Sequence, residues 1–348
     1  MAEETWPGVV VRATLSETGK VPRSASSQSP DILIAPNSEP YEDPSILTDP
    51  ANYGKQYPAA LNIGRPNYLY VRGKNYTEGD LEGNWTLYFA EPNIILLPYL
   101  WEENKLATST GNQRPPLSIK AGEIGASTDP FRWIPDNVSD HYCMIAIAET
   151  PGRGNPVAGV TNIESLAAVM TNNANIAQRN VQMIRGNKPE QIMNARYNQG
   201  DSGATLDLSV RFKNIPKGTK YKVSSGTPLD GRALVLTNEN DSQGTTEFDF
   251  KISWVDLEIP AQWNSMFTVE LFFGNGGWPP DNTKRPSVEI RGEFPVSEKH
   301  ALYEAAEFAD PHPETGLMRV TDGGGPVKIV VVGSVTGEFF ETTPAMFK

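Results

Sequence analysis

Two positions apart, His141 and Cys143 bring the only cysteine of this 348-residue sequence beside one of its three histidines. An imidazole next to a thiol is suited to ligating zinc or to activating sulfur as a nucleophile. Zinc needs about four ligands at compatible positions. No Cys-x-x-Cys or His-x-x-x-His completes such a set, and His300 and His312 lie far along the chain. The surrounding stretch, HYCMIAIAET, alternates instead like a strand. His141, Cys143, Ile145 and Ile147 share one face, and Tyr142, Met144, Ala146 and Ala148 share the other. A strand apolar on both faces belongs at the centre of a packed sheet, where cysteine behaves as a small hydrophobe.

Oxygen-rich loops are the next candidates. YEDPSILTDP groups Glu42, Asp43 and Asp49, and NENDSQGTTE groups Glu239, Asp241 and Glu247 with Asn238 and Asn240. Calcium accepts such donors, which makes Asp43, Asp49, Glu239 and Asp241 candidate ligands, although neither loop has EF-hand spacing. Without calcium they are solvated hairpin loops, and the sequence calls for no other cofactor. Three rings stand in Pro- or Gly-rich loops: Tyr99 and Trp101 in LPYLWEEN, and Trp278 in NGGWPPDN. Exposed, they would serve as binding anchors; folded back, they would seal a core. No Gly-x-Ser-x-Gly is present, and DGGGP at 322–326 lacks the Gly-Lys-Ser/Thr ending of a phosphate loop, so it reads as a hairpin turn.

Elements that could position these residues are mostly strands. Thirty glycines and 29 prolines without a short repeat argue for many turns between short strands, and 38% apolar residues suffice for real cores. DILIAP, NYLYVRGKN, NWTLYFAEP, SIKAGEIG, HYCMIAIAET and NIAQRNVQMI form one series. TLDLSVRF, EFDFKISW and FTVELFF form a second, each with apolar and polar residues alternating. The spacing of TNIESLAAVMTNN predicts a short helix, and SEKHALYEAAEFA predicts another over 297–309, capped by Ser297. The expected architecture is all-β: an N-terminal strand and linker over 1–30, a sandwich over 31–185 and a second over 203–295. Residues 296–348 are expected to add a helix and a hairpin docked on a sandwich.

The net charge of -12, from 30 basic and 42 acidic residues, opposes phosphate backbones and anionic lipid, so nucleic acid is not an expected partner. One cysteine excludes an internal disulfide. MAEETWPGVV lacks the pattern of a secretory signal, which leaves the cytoplasm or a non-standard export route as expectations. No run approaches the roughly 18 apolar residues of a spanning helix, NIILLPYLW being broken by Pro98.

The ordered series PDILI, GRPNYLYVRGKN, NWTLYFAEP, HYCMIAIAETP and NNANIAQRNVQ resembles bacterial immunoglobulin-like sandwich domains of the CARDB type over residues 31–184. Residues 203–295 share only strand alternation with such a sandwich. The resemblance implies tandem immunoglobulin-like sandwiches and a non-enzymatic binding or structural role, with a protein or glycan engaged through sandwich-end loops or an edge strand. An accessory or assembly protein of a bacterial toxin or secretion system is the alternative reading, and a calcium-stabilised hydrolase is the more distant one.

Overall fold

The alternation read from the sequence becomes two antiparallel sandwiches in the computed structural model, which describes residues 4–24, 27–57, 60–135, 141–183, 190–216, 218–239, 250–273 and 286–338. The first half contains β1 (Glu4–Thr5), β2 (Val9–Val10), β3 (Lys20–Val21), β4 (Ile32–Ile34), β5 (Ala60–Leu61) and β6 (Asn67–Asn75). It continues with β7 (Leu81–Ala90), β8 (Pro116–Ile119), β9 (Ile124–Ala126), β10 (Phe131–Trp133), β11 (His141–Glu149) and β12 (Ile176–Met183). A sheet built around β6 from β2, β4, β9 and β10 faces a sheet of order β5-β12-β11-β7-β8, in which only the β5–β12 pair is parallel. Val9, Ile32, Leu69, Val71 and Phe131 pack from one side against Trp85, Leu87, Met144 and Ala146 from the other.

The N-terminal segment is not a separate linker, contrary to the boundary expected at residue 30. β2 pairs with β6, and a fully buried Asp31 gathers two arginines. Arg12 Nη2 lies 2.7 Å and Arg72 Nε 2.9 Å from Asp31 Oδ1. Carbonyls of Asn52 and Tyr53 accept further guanidinium protons, and the Tyr53 ring lies under Arg12. These carbonyls belong to α1 (Pro50–Tyr53), one turn within the long acidic connector. Buried charges stay only where paired and hydrogen-bonded. That requirement ties the first thirty residues and the 36–57 loop to one point.

The second half contains β13 (Glu190–Asn198), β14 (Ala204–Lys213), β15 (Lys220–Ser225), β16 (Val235–Glu239) and β17 (Phe250–Ile259). It ends with β18 (Asn264–Phe272), β19 (Ser287–Val296), β20 (Glu307–Phe308) and β21 (Lys328–Glu338). Sheets of order β13-β18-β15-β16 and β17-β14-β19-β21-β20 enclose Leu208, Val210, Phe212, Val223, Phe267, Val269 and Leu271. Two boundaries move. β13 pairs along β18, so the second sandwich begins by residue 190 rather than 203. β21 pairs with β19 over its whole length, so the tail is an internal strand rather than a docked appendage. The helix expected over 297–309 is replaced by turns, a single 3-10 turn at Tyr303–Ala305, and β20. Of its apolar residues at helical spacing, Ala301, Leu302, Ala305 and Phe308, only Leu302 is well buried, too little packing to hold a short helix in water.

The helix expected at TNIESLAAVMTNN is α2 (Ile163–Asn172), begun by a capping box in which Asn162 and Ser165 bond each other's backbone N–H. It buries Ile163, Leu166, Ala167 and Met170 at the junction of the two sandwiches. One cluster runs continuously through that junction. From the first sandwich it takes Cys143, Ile145 and Ile147 of β11, and the segment Ile94, Ile95, Leu96 and Leu97 that follows β7. This segment enters the second sandwich beside β13: Ile94 N donates to Arg196 O at 2.7 Å and Arg196 N donates to Pro92 O at 3.0 Å. It passes over Gly333 of β21 and Gly292 of β19. A Cβ on Gly333 would meet the Ile94 carbonyl oxygen far inside contact distance, and one on Gly292 would meet the Ile95 side chain.

Gly333→Ala is therefore expected to cost about 3 kcal/mol, measured by urea unfolding, because the obstacle is a backbone oxygen with no rotamer to yield. A loss below about 0.5 kcal/mol, ordinary for a surface substitution, would show that the segment is not wedged there.

Candidate binding surfaces

Cys143 is fully buried between the sandwiches. Its thiol donates to Asn180 Oδ1 at 3.0 Å, and Asn180 Nδ2 donates to Ser334 O at 3.1 Å on β21. The residue that looked like chemistry is thus part of a polar bridge across the junction, on an inner strand as its alternation indicates. Burial pushes the thiol up to about 12, against a smaller opposing effect of the Asn93 backbone. A thiol in that range is a poor nucleophile at neutral pH. His141 opens β11 opposite Gln182, and its backbone alone is described. His300 Nδ1 and His312 Nδ1 each accept a backbone N–H, at 3.1 and 3.2 Å.

The candidate calcium ligands are dispersed or already occupied. Asp43 accepts from Ser45 N at 2.9 Å and Asp49 from Ala51 N at 2.8 Å, so each caps a short helical turn in the connector over Arg12 and Arg72. The hydrogen bonds from Ser45 hold the Asp43 carboxyl below its ordinary value. Glu239 ends β16, and Asp241 lies outside the described residues. Among the described residues no three His, Cys, Asp or Glu side chains converge on a metal position.

The rings divide. Trp101 is 1% exposed, donates from Nε1 to Leu96 O at 3.0 Å and meets Tyr88 edge-on at 5.0 Å. Of the two places open to it, Trp101 takes the folded-back one, where it seals the wedge segment and does not serve as a surface anchor. Tyr99 is 54% exposed, and its hydroxyl donates to Asn198 Oδ1 at 2.8 Å, a second link from the first sandwich to β13. Trp278 lies outside the described residues.

Two surfaces emerge that no motif announced. The first is the loop before β21, where Leu317, Met318 and Val320 are 69%, 55% and 64% exposed while Arg319 between them is buried. Arg319 forms a two-point pair with Asp207, and its Nη2 lies 2.7 Å from Asp256 Oδ1. Asp207 sits at a bulge of β14, where Asp256 N donates to its Oδ1 at 2.9 Å. Burial outweighs this pairing and holds the Asp207 carboxyl above its ordinary value. Beside the DGGGP turn, LMRV has the pattern of a hairpin strand, and alternation alone cannot show that its charged residue points inward.

The second surface is a groove of about 520 Å³ on the outward face of the β17-β14-β19-β21 sheet, bounded by Gln28 of the first sandwich. One rung of that sheet carries Lys251, Arg211, Glu289 and Thr336 side by side, flanked by Lys213 and Ser287 on one side and Arg291 on the other. The alternation of VRFKN does place Arg211 and Lys213 on a wet face. Lys251 and Arg291 come from distant strands, so their convergence is a product of topology alone.

No family model matches the chain, and no curated protein matches it. Among solved structures, red sea bream transglutaminase is 11% identical, with 66% of this chain and 27% of that one covered at a TM-score of 0.20. An allantoicase is 10% identical, with coverage of 59% and 77% and a TM-score of 0.16. The VP2 subviral particle of infectious bursal disease virus is 11% identical, with coverage of 79% and 81% and a TM-score of 0.17. The chain spans about a quarter of the transglutaminase it matches. Similarity at these scores says nothing about a shared fold or activity.

Because the thiol is raised by burial, the folded chain keeps its proton where the unfolded chain ionises. That contribution is fully present below the unfolded thiol value of about 8.5. It is lost as pH rises towards the folded value, at about 1.4 kcal/mol per unit. Cys143→Ala is expected to be less stable than the parent at pH 7, and the parent's advantage is expected to shrink by about 2 kcal/mol by pH 10. Urea unfolding at both pH values measures this. A constant difference, or reaction of Cys143 with a thiol reagent before unfolding, would contradict the buried bridge.

Proposed function

We propose that this chain is a non-enzymatic binding protein whose partner is another protein, gripped by the apolar loop Leu317–Met318–Val320. The observation that carries the reading is the combination of exposure and rigidity in that loop: three large apolar side chains face solvent around an arginine locked to Asp207 and Asp256. Apolar anchors of this kind supply affinity when they fill a pocket on a partner. Fixing the loop beforehand lowers the ordering cost of binding. Backbone bonds add to the lock, since Thr321 N donates to Gly325 O and Val327 N donates to Arg319 O.

Among the described residues, the side chains of Cys143, His300 and His312 are engaged in structural hydrogen bonds, which supports a role without catalysis. Cys143 bridges the junction, while His300 and His312 accept backbone hydrogen bonds. The resemblance of 31–184 to CARDB-type domains favours the same class of role. Assembly within a toxin or secretion system would be one setting for it, with the partner's identity naming the system.

Affinity capture from the native cells, comparing the parent with a Leu317→Ser/Met318→Ser variant, tests the reading. A protein held by the parent and reduced at least about tenfold on the variant, with the thermal midpoint unchanged, is the expected outcome. Equal retention on both chains, or no retained protein at all, would remove the loop as an anchor.

A further inference from the structure

The groove on the second sandwich concentrates cations in a chain whose net charge is -12. Four basic side chains line it: Arg211, Lys213, Lys251 and Arg291. Three carboxylates answer them. Glu293, almost wholly buried, lies 3.0 Å from Lys251 Nζ and also accepts from Ser209 Oγ at 2.7 Å. Asp310 at the rim lies 2.6 Å from the same ammonium, and Glu289 lies 2.8 Å from Arg291 Nε. Lys251 and Arg291 are therefore committed. Arg211 is not: its nearest carboxylate oxygen, on Glu293, is 4.0 Å away, beyond hydrogen-bond reach. Lys213 is exposed and makes no ion pair among the described residues.

Arg211 and Lys213 point from one face of β14, about 7 Å apart along the strand. A guanidinium offers a carboxylate two parallel donors, and an ammonium beside it adds a second charge. The groove thus has a ready position for one anionic group, with the committed cations and carboxylates forming a polar wall around it.

The rest of the lining selects the kind of molecule that carries the anion. The groove runs across the face of β17, β14, β19 and β21, whose ladder bonds lie in the plane of the sheet and are satisfied there except along the outer edge of β17. An extended peptide laid across them would lose hydration from its N–H and C=O groups without finding backbone partners, unlike one added to a sheet edge. A sugar brings hydroxyls, which pair with side chains such as Ser287 and Gln28.

We propose that this groove binds an acidic oligosaccharide, with a uronate carboxylate held between Arg211 and Lys213. The site is separate from the 315–320 loop, so it stands or falls independently of the protein-binding reading. Isothermal titration of the full chain with tetragalacturonate and with a hyaluronan tetrasaccharide tests it, with a neutral galacto-oligosaccharide and tetraglutamate as controls. At least one acidic sugar is expected to bind, more weakly as salt is raised. An Arg211→Gln/Lys213→Gln variant is expected to lose at least about tenfold in affinity while its thermal midpoint stays put, because neither side chain holds a structural hydrogen bond. Binding by neither acidic sugar, equal binding by the variant, or tetraglutamate binding as tightly as the sugars would overturn the proposal. The Leu317→Ser/Met318→Ser chain is expected to bind the sugar like the parent, which keeps the two surfaces experimentally distinct.

Discussion

The second sandwich cannot close its core without a segment of the first. Ile94, Ile95, Leu96 and Leu97 leave β7, pair with the edge of β13 and lie across Gly333 and Gly292, where a side chain would collide with their backbone or with Ile95. Each buried aliphatic side chain contributes on the order of 2 kcal/mol, so the wedge is a large fraction of what a domain's net stability usually amounts to. It also fixes orientation. α2, Trp101 and the Cys143–Asn180–Ser334 bridge surround the wedge and leave the two halves one relative position. The usual expectation that tandem domains move about a polar interface does not apply to a junction with one continuous apolar core.

Charged clusters complete the structure at points the apolar core does not reach. Asp31 with Arg12 and Arg72 holds the N-terminal segment and the acidic connector. Asp207 with Arg319 holds the loop before β21. Buried ion pairs seldom add net stability over apolar packing, yet losing one partner strands a charge and is costly. Their geometric demand explains why both lie where a loop must be kept in one shape: Asp31 needs carbonyls from 52 and 53 to finish the solvation of its arginines, and Arg319 can reach Asp207 only if 317, 318 and 320 face outward.

Strand alternation made most of this legible in advance. The two faces of β11, the inward rows of β14 and β18, and the helix α2 follow directly from period and spacing. Other features depend on residues far apart in sequence. Arg72 sits within an apolar strand and reads as a wet-face residue until Asp31, forty-one positions away, is placed beside it. Trp101 reads as a loop ring because only the fold shows Leu96 and Tyr88 closing around it. The tail strand looked detachable because its β19 partner lies across a long insertion containing the 297–305 turns, where helical spacing without enough buried surface misled. Both candidate binding surfaces are of this non-local kind: an arginine turned inward, and cations from three strands brought to one face.

A body joined in this way presents the 315–320 loop and the cationic groove in fixed relation, as two loosely linked modules would not. The shared core is the claim on which that view depends, and differential scanning calorimetry of the full chain tests it most directly. The account predicts one transition whose calorimetric and van't Hoff enthalpies agree, because neither half keeps its core when the other opens. Two resolved transitions, or a calorimetric enthalpy near twice the van't Hoff value, would mean that the sandwiches fold apart and that the wedge does not join them.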